Sequence, residues 1–131
     1  ERTVLLTNSG ATLGVPAICD FKTTFNDGIA AFIFLNEMIY DEFLFLYLKA
    51  KSTWFLNVAA QGQGQPNLNT DIIRATWFPV ASLKEQYRIV TKVDELMALC
   101  NQVKAQLVES GEQQRKLADV MVERAVTREL M

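Results

Sequence analysis

Apolar and polar positions change rhythm near residue 82. Upstream, short apolar runs alternate with turns. Residues 3–7 read as a strand, and Asn8-Ser9-Gly10-Ala11-Thr12-Leu13-Gly14 as a polar, glycine-bounded turn. Residues 15–19 predict a second strand, and Asp20-Phe21-Lys22 a turn. Residues 22–25 suit a short strand, Asn26-Asp27-Gly28 is a strong turn signal, and the apolar run 29–35 predicts a buried strand. Helical spacing follows. Asp41 can cap a helix over 42–51, where Phe43, Leu44, Tyr47 and Leu48 form one apolar stripe. Ser52 can cap a second short helix with Phe55, Val58 and Ala59 on one face. Gln61-Gly62-Gln63-Gly64-Gln65-Pro66-Asn67 breaks all regularity. Residues 70–74 suit one helical turn, and 76–80 a last short strand.

Downstream, residues 83–131 contain no proline and a single glycine. Ser82 stands three residues before Glu85, the spacing of a capping box that satisfies backbone donors at a helix start. Ile89, Val93, Leu96, Cys100, Val103 and Leu107 then alternate by four and three, a coiled-coil seam. Val90, Met97 and Leu99 widen the apolar face, which predicts burial on more than one side. The seam fails at Ser110-Gly111, where glycine costs up to ~1 kcal/mol against alanine. The pattern predicts a long helix to about residue 109, a weak point, and a second helical segment to about 129. Such a helix needs a partner: a segment of the parent protein absent from this chain, or a second copy. The expected fold is α+β, with a small curved sheet and short helices over 1–82 and a long coiled-coil helix over 83–131. A chain that opens inside a strand reads as a piece of something longer.

Composition narrows the function. Half of the 131 residues are apolar, enough for a core. No uncharged apolar run approaches the roughly 20 residues needed to span a bilayer, and no signal peptide is visible, so a cytoplasmic protein without a membrane partner is expected. Cys19 and Cys100 lack metal-ligand spacing and read as two buried thiols. The absence of histidine argues against a zinc site and against Ser-His or Cys-His nucleophile pairs. No phosphate-binding loop occurs, so an independent enzyme is disfavoured. Asp94, Glu95 and Glu85 sit among Lys84, Arg88 and Lys92 and read as surface i, i+4 pairs. Net charge is −2. Residues 1–82 carry five Lys or Arg (Arg2, Lys22, Lys49, Lys51, Arg74) against seven acids, and 83–131 carry eight of each sign. Bulk charge therefore argues against nucleic-acid binding.

Three motifs in order point the other way. They are Gly62-Gln63-Gly64-Gln65-Pro66-Asn67-Leu68-Asn69, then Trp77-Phe78-Pro79, then Leu83-Lys84-Glu85-Gln86-Tyr87-Arg88-Ile89-Val90. The helix text Lys92-Val93-Asp94-Glu95-Leu96-Met97-Ala98-Leu99-Cys100 and the turn Gly10-Ala11-Thr12-Leu13-Gly14 join them. Together, over about residues 3–110, they resemble the specificity subunit of type I restriction–modification systems. The family usually has two adjacent prolines where this chain has Val80-Ala81 after Pro79. The resemblance implies a target recognition domain that reads one half of a split double-stranded DNA target. It also implies a long helix that packs antiparallel on a second one as a spacer. The subunit itself would be non-catalytic and without a cofactor. Modification subunits would bring S-adenosylmethionine, and restriction subunits ATP hydrolysis. A helix-mediated protein scaffold without DNA contact is the alternative.

Candidate DNA contacts are polar residues beside turns: Thr7, Asn8, Ser9 and Thr12; Lys22, Thr23, Thr24 and Asn26; and Gln63, Gln65 and Asn67. Hydroxyls and amides can position phosphates, and amides can pair with adenine. The Gly-Gln loop recurs across the family, which suits backbone positioning better than target-specific readout. Lys49 and Lys51 read as helix-terminal cations, and Trp54, Trp77 and Phe78 as core.

Overall fold

The structure, a computed structural model, describes residues 2–59 and 67–129. Its described elements are β1 (Thr3–Thr7), β2 (Pro16–Cys19), β3 (Ile29–Phe32), α1 (Asp41–Ala59), α2 (Thr70–Ala75) and α3 (Leu83–Glu129). This is an α+β architecture. The strands form an antiparallel sheet in the order β2-β1-β3. Thr3 pairs with Cys19 and Leu6 with Pro16 on one side; Val4 pairs with Phe32 and Thr7 with Ile29 on the other. In β1 the two-residue period of a strand sends Val4 and Leu6 fully into the core and leaves Thr3, Leu5 and Thr7 half-buried. Leu13, Leu44, Leu48, Phe55 and Leu68 complete that core, with α1 packed on β1 and β2.

The sequence predicts two helices over 42–59, split at Ser52; the structure has one. Leu44, Leu48, Ser52 and Phe55 fall on a single stripe at spacings of four, four and three, with no glycine or proline to break it. Ser52 lies on the buried side, and its hydroxyl donates to Gly14 O at 2.7 Å instead of capping a new helix. Lys49 and Lys51 therefore sit in mid-helix, not at an end. Asp41 lies in the first turn, where an acid suits the helix dipole, and Tyr40 is the residue whose carbonyl takes the first helical bond, from Leu44 N at 3.0 Å.

The turn between β1 and β2 explains the Gly-Ala-Thr-Leu-Gly motif. Gly10 and Gly14 have φ of +81° and +80°, a region that suits glycine. At Gly14 a Cβ would also stand 3.1 Å from Ser52 O and 3.2 Å from Phe55 Cβ. Only glycine lets the turn lie this close on α1 while Leu13 between them drops into the core.

Two expected strands are absent. Residues 22–25 run exposed between β2 and β3. Residues 76–80 find no strand partner. The Tyr47 hydroxyl donates to Trp77 O, and Phe78 packs edge-on against Tyr47 (5.1 Å) and Phe43 (5.7 Å). This segment crosses α1, not the sheet, so Phe78 is half-buried and Trp77 is 92% exposed. Trp54 is also largely exposed, so neither tryptophan is core. β3 ends at Phe32, shorter than the run 29–35, because Phe34 adopts φ of +56° and turns the chain outward.

α3 is continuous through Ser110 and Gly111. An exposed helical glycine costs only about 1 kcal/mol, and without a proline that does not interrupt the ladder. The chain divides into two compact units, Glu1–Thr91 and Lys92–Met131, so the first turns of α3 belong with the globular body. Cys19 is buried and its thiol donates to Phe21 O, whereas Cys100, expected to be buried, is exposed. No described helix is long and apolar enough to cross a membrane.

Candidate nucleic-acid interface

Two turns and the stretch before α2 meet at one end of the sheet. The register sets Thr7 opposite Ile29, so the turn after β1 and the turn before β3 are neighbours. Asn8 N donates to Gly28 O at 3.0 Å. Leu68 N donates to Asn8 O at 2.8 Å, and Ser9 bridges Asn67, which brings in the stretch before α2. Asn8, Ser9, Asn26 and Asn67 are thus gathered, with Thr7 and Thr12 on the same turn as Asn8.

Several of these groups already have internal partners. Thr7 Oγ1 accepts from Val15 N at 3.0 Å and lies within donating distance of Val15 O and Thr12 O. Asn26 Oδ1 accepts from Gly28 N at 3.0 Å, the pattern by which an Asx side chain closes its own turn. Asn69 does the same for α2, accepting from Ile72 N at 2.9 Å. Asn8 Oδ1 is buried and unpartnered among the described residues. Thr12 and Asn67 are exposed, and Ser9 is half-buried. These three segments contain one charged residue, Asp27. What they offer is hydroxyls, amides and backbone groups, chemistry that positions phosphates or reads base edges without neutralising charge.

The other candidates lie apart. Lys22, Thr23 and Thr24 are exposed on the crossover, and Thr23 Oγ1 donates to Thr24 O. Gln63 and Gln65 fall outside the described residues. Of the cations in the body, Arg2 pairs with Glu42 at 2.5 Å. Lys49 stands over the Phe45 ring at 5.7 Å, and Lys51 over Trp54 at 5.3 Å. Among the described residues no group of three or more His, Cys, Asp or Glu could hold a metal ion.

At the start of α3, Ser82 Oγ accepts from Glu85 N at 3.3 Å. The Glu85 carboxylate does not return to Ser82. It takes two bonds from Arg88 at 2.6 and 2.8 Å, and this pairing holds its pKa below the usual carboxylate range. Among the described residues the ion pairs on α3 are i, i+3 (Glu85–Arg88 and Lys92–Glu95), not the expected i, i+4. Of the seam, Ile89 and Val93 are half-buried, while Leu96, Cys100, Val103 and Leu107 are exposed. Val90 is buried beside them.

Gln86 was missed by the sequence reading. It is fully buried. Its Oε1 accepts from Tyr40 N at 2.8 Å, and its Nε2 donates to Met38 O at 2.7 Å and Ala81 O at 2.8 Å. The signal was available: residue 86 lies three before Ile89 and four before Val90, an apolar register position filled by an amide. Tyr40 and Tyr87 flank it with rings 4.2 Å apart. Burial, then the Glu42 carboxylate, raises the Tyr40 hydroxyl pKa.

Comparison with known proteins gives the family. One curated relative is the type I restriction enzyme EcoAI specificity subunit of Escherichia coli, 28% identical over 121 residues. The match covers 91% of this chain, which spans about a fifth (20%) of that relative's length. Residues 1–110 match the type I restriction modification DNA specificity domain, and the chain belongs to that family.

Proposed function

We propose that this chain is the DNA-recognition part of a type I specificity subunit. Residues 1–82 contact one half of a split double-stranded target, and 83–131 serve as spacer and as docking element for modification subunits. The observation that carries this reading is the gathering of Asn8, Ser9, Asn26 and Asn67 at one end of the sheet. Two turns and the stretch before α2, distant in sequence, bring amides and hydroxyls together, the groups that hold phosphates and pair with base edges. The chain is non-catalytic: methyl transfer with S-adenosylmethionine and ATP-driven restriction belong to the modification and restriction subunits. The exposed Leu96, Val103 and Leu107 suit a second helix, from the remainder of the parent subunit or from another copy of this chain.

The acidic balance has a consequence. With few cations near the turns, this chain alone binds DNA weakly, and the rest of the complex supplies most of the phosphate neutralisation. The test is an exchange of residues 1–82, in the intact subunit, for the corresponding part of a relative with another target. One half of the methylated sequence should change and the other should not. An unchanged target sinks the reading.

The charge balance and the exposed seam favour a second reading, a helix-mediated scaffold whose body binds protein. Retention of target and non-target duplexes by the intact complex at low salt separates the two. The scaffold predicts equal retention after the body is exchanged.

A further inference from the structure

Gln86 stands where an apolar side chain would serve burial better. Its neighbour on the same stripe, Val90, is buried, and the fully enclosed position would take leucine or methionine without a polar group to satisfy. The amide instead makes three directed bonds to three different places. Tyr40 N belongs to the residue that starts α1, Met38 O to the loop leading into it, and Ala81 O to the approach to α3. One acceptor and two donors in a plane admit one rotation of α3 about its axis. A slip of one residue turns a helix by about 100° and would break the bonds to Tyr40 N and Met38 O. A buried polar group that fixes register at some cost in stability is a known device of helical assemblies.

We propose that Gln86 is a positioning residue that sets the spacing accepted between the half-target read by this body and the other half. It does so by locking the first turns of α3 to the start of α1. This rests on the function proposed above. A helix acting as a spacer transmits its starting angle to everything it holds. Looseness at Gln86 then appears as tolerance of wrong spacings, while preference within each half is unchanged.

The experiment uses the intact specificity subunit assembled with its modification subunits. The probe is a duplex carrying the methylated sequence mapped with the wild-type complex, and duplexes with the gap lengthened or shortened by one base pair. Gln86→Met keeps the volume and removes all three bonds. The ratio of methylation on correct to altered spacing should fall about tenfold, with half-site preference intact. A ratio within about twofold of wild type overturns the proposal. Gln86→Glu decides the matter should the Met variant fail to assemble. A protonated carboxyl can accept from Tyr40 N and donate to Met38 O or Ala81 O; a carboxylate there faces two carbonyl oxygens and can donate to neither. Burial raises that carboxyl's pKa, so spacing discrimination should hold near about pH 6 and fall towards about pH 8. Wild type at the same pH values controls for the surrounding Arg2, Tyr40, Asp41, Glu42, Glu85, Tyr87 and Arg88. A pH profile parallel to wild type overturns the proposal. If the wild-type complex itself ignores spacing, the proposed function fails; if only the variants match wild type, Gln86 alone is misassigned.

Discussion

Leu6 and Leu107 are the same side chain in opposite circumstances. Leu6 is fully enclosed by the sheet and α1, whereas Leu107 is 67% exposed on α3. The contrast extends to the units that hold them. In Glu1–Thr91, polar groups are used inward: Thr7, Asn26, Ser52, Asn69 and Gln86 each bond backbone. In Lys92–Met131, apolar groups face outward: Leu96, Leu99, Val103, Leu107, Leu117 and Met121 are all exposed. The body's core is answered within the chain, although Phe34 and Trp77 stay exposed. The helix's pattern is the one that the proposed pairing with a second helix would cover.

The largest effect that would break this comparison is a cavity in the body. Leu6→Ala should cost about 2–5 kcal/mol and Phe55→Ala about 3–5, both buried sites with little room to relax. Leu107→Ala should change unfolding of the chain by less than about 0.5 kcal/mol at concentrations too low for self-association. Urea unfolding of the three variants checks this. An equal cost at Leu6 and Leu107 would mean that the helix is covered as the body is.

The seam offers the next effect. If α3 is written for a partner, this chain alone should self-associate through it. Val93→Asp with Leu96→Asp should yield monomers in sedimentation, or a chain that fails to fold. An oligomer that survives both substitutions would place the contact elsewhere.

The body's fold was legible where local chemistry and packing agree. β1 alternates, the Asn26-Asp27-Gly28 turn closes through an Asx bond, and the apolar runs fall into the core. It was illegible where a polar residue is spent on a distant partner. Ser52 reads as a cap because its hydroxyl favours helix starts, but its acceptor, Gly14 O, is 38 residues away. Gln86 is legible only as part of the Leu83-Lys84-Glu85-Gln86 motif, because its three partners lie in two other segments. Trp77 and Phe78 read alike, and only the course of the segment over α1 decides which one is buried. The candidate site was legible as polar turns. That two of them meet follows from the β1–β3 register, and that the stretch before α2 joins them follows from the Asn8–Leu68 bond and the Ser9–Asn67 bridge, which no local pattern states. Gln63 and Gln65 lie outside the described residues.

Glycine sharpens the comparison within the body. Gly14→Ala meets both an unfavourable φ and contacts at 3.1 and 3.2 Å, so it should cost about 2–3 kcal/mol. Gly10→Ala meets only the unfavourable φ and should cost about 1–2. Thermal unfolding of both variants measures the difference. Equal costs would mean that α1 yields at Ser52, and that the turn is less tightly held than the enclosed Phe55 implies.

The smallest effects lie where the two regions join. Ser82→Ala removes one side-chain acceptor from the start of α3 and should cost about 1 kcal/mol. The Glu85–Arg88 pair is a weaker and purely electrostatic contribution on the exposed side of the same turn. Glu85 has a lowered folded pKa, so its contribution is present above the unfolded carboxylate value. It is lost as pH falls through the folded one. Circular dichroism from neutral to acid pH should therefore show wild type losing slightly more stability than Arg88→Met, whose Glu85 titrates without a partner. Identical acid profiles would show that the pair contributes nothing. The start of α3 would then be set by Ser82 and Gln86 alone, one holding the end of the helix and the other its rotation.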